Sequence, residues 1–158
     1  MALKSGVTFR GADAVTAGHL PDDTQVAAFY ADGPYANEEA VKARFPHGVY
    51  FVGVATNAFV RARCLDIETG DATPWQAAGW FRDYADRSEG KPIFYCNAST
   101  IGSVEEALTQ AGISRDDYYE WQSDWDNVAA VPPGRDAAQY AGAVTDPYDS
   151  DIWEEYVF

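Results

Sequence analysis

Asp66 and Glu68 stand one residue apart within "RARCLDIETGD", residues 61–71. The stretch alternates like a half-buried strand. Leu65, Ile67 and Thr69 share one face, and Cys64, Asp66 and Glu68 share the other. Acidic residues are depleted in strands, because a pleated, packed surface suits β-branched and aromatic groups. Two acids on one face, roughly 6.5 Å apart along the strand, therefore ask for a chemical reason. Neighbouring carboxyls push one another's pKa values apart, so one holds a proton while the other is ionised. Glycoside hydrolysis uses such a pair, one on each side of the bond that breaks.

The elements that must position this pair follow from the hydrophobic pattern. Strands are expected over "GVTFRGADAV", "TQVAAFYADG" (24–33), "GVYFVGVAT" (48–56), "VRARCLDIE" (60–68), "KPIFYCN" (91–97), "DYYEWQSDW" (117–125) and "AAQYA" (137–141), and "DNVAAV" (126–131) reads as extended. Helices are expected over 37–45, behind Asn37 and stopped by Pro46, and over 73–87, with Thr73 as cap and Pro74 at the first position. A third is expected over 103–112, opened by a Ser103–Glu106 capping box and closed by Gly112. In the second helix Trp75, Trp80 and Phe81 are read as core. The tail "DIWEEYVF" carries an apolar stripe that either closes the fold or docks on a partner.

Strand and helix in alternation argue for an α/β protein with a mostly parallel sheet. Seven or eight short strands with about three clear helices predict a trimmed (β/α)-barrel in a single domain over residues 1–158, with an open doubly wound sheet as the alternative. No GxGxxG or GxxxxGK[ST] follows the first strand, so no phosphate cradle is expected. In parallel α/β sheets the chemistry gathers at the carboxyl ends of strands. Besides Asp66 and Glu68, those ends offer Asp13, Asp32, Tyr95, Asn97, Asp124 and the pair Gln139–Tyr140.

Charge narrows the partners. The formal net charge is −14, and residues 115–158 alone hold eleven acids against two bases. Such a field repels phosphates, which excludes direct nucleic-acid binding and disfavours anionic membranes. No run of apolar residues is long enough for a membrane span. The start "MALKSGVTFRGADAV" lacks an apolar signal region, so cytoplasmic synthesis is expected, with later release or incorporation into a virion. Cys64 and Cys96 suggest no disulfide framework and are read as reduced and buried. His19 and His47 have no ligand-like spacing, and "DPYDSD" (146–151) lacks the Gly and terminal Glu of a loop-type calcium site, so neither metal nor cofactor is expected.

The order "GADAV", "CLDIE", "KPIFYCN", "EWQSDW", "AAQYA", "PYDSD" resembles family 25 glycoside hydrolases, the muramidases of bacteria and their phages. It is closer still to the glycoside-hydrolase-like domains of actinobacterial and actinophage proteins. The resemblance spans roughly residues 7–151, and it lies in the order of short motifs rather than in any one of them. It implies a barrel mouth lined by Asp13, by Asp66 and Glu68, and by Asp149. Glu68 would be the general acid, and Asp66 would orient or stabilise the sugar's acetamido group during retaining cleavage. Tyr95, Trp121, Tyr140 and Asn97 would bind the glycan. The chain departs from the family pattern in its brevity and in Trp121-Gln122-Ser123, where the family has Trp followed by two small residues.

Three functional classes follow: a glycosidase acting on a β-linked aminosugar polymer such as peptidoglycan, an idle barrel serving as a virion or assembly subunit among neighbouring virion proteins (capsid decoration or tail), and a module that holds glycans without cutting them. The alternatives for Asp66 and Glu68 are a polar strand end in which one acid pairs with Arg61, Arg63 or another Arg of a neighbouring loop, and a relic pair on a barrel that no longer cuts.

Overall fold

The computed structural model describes residues 6–142 and 147–158. The first five residues and Asp146 of "DPYDSD", on which parts of the reading above fall, lie outside the described residues. Eight strands close into one barrel in sequence order: β1 (Thr8–Asp13), β2 (Val26–Tyr30), β3 (Tyr50–Ala55), β4 (Cys64–Asp66), β5 (Ile93–Asn97), β6 (Tyr119–Ser123), β7 (Ala137–Ala141) and β8 (Asp149–Glu154). Closure rules out the open sheet and leaves no edge exposed. From β1 to β7 every neighbouring pair is parallel, whereas β8 runs antiparallel to both β7 and β1. An antiparallel return suits the short connection of residues 142–148 between β7 and β8, whereas the parallel neighbours are joined by longer segments, the shortest being 56–63 between β3 and β4. Among the described residues the architecture is thus a closed, mixed α/β barrel with three α-helices.

Those helices are α1 (Glu38–Arg44), α2 (Ala77–Asp83) and α3 (Ile101–Gln110). Two differ from expectation. α2 is preceded by a 3₁₀ turn over Pro74–Gln76, which carries the Thr73–Gln76 capping box, and it ends at Asp83 instead of reaching 87. The following residues are drawn off the helix to pair with the segment before β4: Ala85 bridges Ala62, and the Asp86 N–H donates to the Ala62 carbonyl at 2.9 Å. Trp80 is buried as expected, but Trp75 lies in the 3₁₀ turn and is exposed, and Phe81 is only partly buried. α3 begins two residues early. Asn97 Oδ1 accepts the Thr100 N–H at 2.9 Å, so the turn after β5 starts the helix and Ser103 sits inside it. Its end is as read: Gly112 takes φ 79, and the N–H groups of Gly112 and Ile113 return to the carbonyls of Thr109 and Leu108, a Schellman closure. Residues 126–131 form no strand.

Strand alternation sorts the core. Inside the barrel lie Val26, Val52, Cys64, Ile93, Trp121, Ala137 and Trp153; outside, Leu65, Ile67, Phe94 and Cys96 pack with α2 and α3. Both cysteines are free and buried. Gly11 on β1 makes room for Trp153 opposite, since a Cβ there would lie 2.6 Å from the indole nitrogen. The tail question is resolved in favour of closure. β8 zips the barrel, Val157 is buried, and Phe158 stacks on Tyr50 at 4.9 Å between ring centroids. Arg63, just ahead of β4, donates to the Val157 carbonyl at 2.6 Å and lies over the Phe158 ring. The tail thus stops the end of the barrel where the parallel strands begin. The acidic segment 115–158 is partly interior: Glu120, Asp136, Asp151 and Glu154 are buried. Glu120 sits on the outer face of β6, where no helix follows, and is covered by Arg115 and Arg135.

Among the described residues no helix is long and apolar enough to cross a membrane.

Candidate functional site

The mouth where the parallel strands end holds a cavity of about 180 Å³. Asp13, Tyr30, Asp66, Glu68, Tyr95, Trp121, Trp125, Gln139 and Asp149 line it, with apolar Ala28, Phe29 and Val54. Register explains the convergence. Asp66 lies beside Tyr95, which lies beside Trp121, and all three point inward. Across the seam Asp13 faces Asp149, and Gln139 faces Asp151. Six of the eight site residues that the family resemblance implies therefore share one cavity, together with Gln139. Asn97 and Tyr140 do not line it. Asn97 caps the turn into α3, and Tyr140 alternates with inward Gln139 and lends its carbonyl to the Asn127 N–H.

Gln139 is the hub. Its Oε1 accepts the Tyr95 hydroxyl at 2.8 Å, and its Nε2 donates to Asp13 Oδ2 at 3.0 Å and to Asp149 Oδ2 at 3.4 Å. Burial lifts Asp13 to about 7, with Asp149 adding to the push. Asp151 lies wholly buried beneath, where burial and then Asp13 drive its pKa well up. The Asp13 carboxyl and the Trp121 indole N–H both face Asp151, the first sharing a side-chain hydrogen bond with it. Two carboxyls in that position need a shared proton.

The Asp66–Glu68 pair is the other half of the mouth. Asp66 is 6% exposed, and its Oδ1 has no hydrogen-bond partner. Burial first, then Glu68 and Asp71, lift it to about 9. Glu68 reaches further toward solvent, and burial raises it too. The pair therefore holds a proton at neutral pH. The arginines offered as alternative partners are engaged elsewhere: Arg61 with Asp86 at 3.3 Å, Arg63 with the tail. Asp32 and Asp124, also considered as strand-end groups, do not line the cavity. Asp32 accepts the N–H groups of Thr56 and Asn57 and so ties two loops together. Tyr30 and Tyr95 are pushed upward by burial and by the surrounding acids, so both remain protonated donors.

One carboxylate oxygen each from Asp66, Glu68 and Asp71 come within 4.8 Å of one another, a grouping that a hard divalent cation could use, although acidic clusters of this kind commonly stand without one.

Tyr30, Trp125 and Asp151 were not singled out from sequence. Asp151 was legible in principle, because it alternates in phase with Asp149 on one strand. Trp125 falls in the strand expected over 117–125, in phase with Trp121, but β6 ends at Ser123 and Trp125 sits on the loop beyond it. No family model matches the chain, and no curated protein matches it.

Proposed function

We propose that this domain is a glycoside-hydrolase-like barrel, of the trimmed (β/α) type that the motif order resembles, acting on a β-linked aminosugar polymer. The observation that carries the reading is the meeting of Asp13, Asp66, Glu68 and Asp149 with Tyr95 and Trp121 in one cavity. Glu68 is the general acid. It is the more accessible member of the pair: the proton that rests on Asp66 passes across to Glu68, which delivers it to the glycosidic oxygen as the C1–O bond breaks. Asp66, behind it, orients the sugar's acetamido group, whose oxygen attacks C1 before water completes a retaining cleavage. Asp13 and Asp149, held by Gln139, bind sugar hydroxyls.

The test is hydrolysis of purified peptidoglycan by the wild type and by Glu68→Gln, read as released reducing ends. The amide keeps the shape and removes the proton donor, so the rate should fall by about 10²–10⁴. Two folded proteins that both leave the polymer intact would overturn the enzymatic reading and favour a barrel that serves as an assembly subunit.

A further inference from the structure

The cavity rim carries a large residue in a backbone conformation that large residues avoid. Trp125 has φ 41, and Asn127, two positions on, has φ 59. Asn tolerates the left-handed region, whereas a bulky side chain there is strained. The connection from β6 to β7 is nevertheless firmly held. The N–H groups of Asp124 and Trp125 both donate to the Gln139 carbonyl, at 2.9 and 3.3 Å. The Asn127 N–H donates to the Tyr140 carbonyl at 2.9 Å, and the Val128 N–H to Asp126 Oδ1 at 2.9 Å.

Packing does not explain the strain. Trp125 is 44% exposed and belongs to none of the three apolar clusters. Among the described residues its ring meets no other aromatic ring. At this strained position stands a tryptophan that lines the carboxyl-lined cavity and is still 44% exposed, which places it at the rim. The loop is also anchored on Gln139, the residue whose side chain joins Tyr95, Asp13 and Asp149. Rim and carboxyls are thereby held in fixed relation.

We propose that Trp125 is a stacking platform that determines specificity for an uncharged aminosugar ring at the mouth. An indole face suits the apolar C–H face of a pyranose, and the ring's rigidity keeps the entropy cost of contact low. The neutral class follows from charge. Asp13, Asp66, Glu68 and Asp149 line the cavity, Asp124 and Asp126 flank Trp125 in the chain, and a sugar bearing a carboxylate would meet like charge. The inference rests on the glycan reading above, but not on cleavage.

The experiment is calorimetric titration of the full chain in a Glu68→Gln background, where the ligand is not cut. Chitotetraose is the neutral probe, and a galacturonate tetramer of similar length is the anionic control. The expected result is binding of chitotetraose only, weakened at least tenfold by Trp125→Asn. The melting temperature of Trp125→Asn should be equal to or above that of the parent, because Asn fits the left-handed backbone better. Undiminished affinity in Trp125→Asn overturns the proposal and leaves the glycosidase reading standing. A lowered melting temperature with unchanged affinity marks the indole as structural and also overturns it. Equal binding of both tetramers overturns the specificity. Failure of the parent to bind chitotetraose overturns the platform, while the peptidoglycan assay judges hydrolysis separately.

Discussion

Asp66→Asn should make the protein more stable, and increasingly so as pH rises. Asp66 is buried with one oxygen unpartnered, and its pKa is raised from 3.8 to about 9 by burial and by Glu68 and Asp71. The sign follows from the direction of the shift. Below pH 3.8 the group is protonated whether the chain is folded or not, so its contribution is fully present. Between 3.8 and about 9 the unfolded chain can ionise Asp66 while the folded chain holds the proton, and stability falls with each step in pH. One such group contributes a slope of at most about 1.4 kcal/mol per pH unit. From pH 5 to pH 7 the loss is then on the order of 3 kcal/mol, an upper figure because the acids of the mouth titrate together. Asparagine keeps the shape and cannot ionise, so the variant should lack this component of the slope. Urea unfolding at several values between pH 4.5 and 8 measures it. The difference in stability, variant minus wild type, should start near about 1 kcal/mol and grow by at most about 5 kcal/mol across the range. A difference that stays constant with pH would falsify the assignment of a proton to buried Asp66.

Further outcomes follow from the packing. Gly11→Ala should cost about 1–3 kcal/mol, because the added Cβ would press on the buried Trp153 indole and on Asp151; chemical unfolding reads this, and an unchanged midpoint would show that β8 gives way freely. Phe158→Ala should destabilise by about 2 kcal/mol or more, since its ring packs on Phe9, Tyr50 and Trp153 and lies under Arg63. If that variant instead keeps full stability and changes only association state in sedimentation, the tail is an interface and not a plug.

Much of the barrel was legible because its strands are short and cleanly patterned. β7 over "AAQYA" coincides with the expected strand, and the inward phase of Cys64, Asp66 and Glu68 is as the alternation reads. The boundaries that moved did so through contacts distant from their own turns. α2 stops early because residues 85 and 86 are claimed by Ala62, and α3 starts early because the turn that Asn97 closes onto Thr100 leads straight into it. Trp75 has the spacing of a core residue but lies in a 3₁₀ turn, where that spacing faces solvent.

Alternating side-chain type nominated Asp66 and Glu68 for one face; the strand expected over 60–68 is only Cys64–Asp66, and Glu68 reaches the same cavity from the bend beyond it. The order of motifs was enough to nominate Asp13 and Asp149 for the same mouth. What only the tertiary structure decided depends on closure. The antiparallel return of β8 set Asp13 against Asp149 and buried Asp151 beneath them, and Gln139 became their bridge. The left-handed backbone at Trp125 exists because hydrogen bonds to a neighbouring strand hold it there. Such terms couple residues far apart in the chain, and no local pattern encodes them.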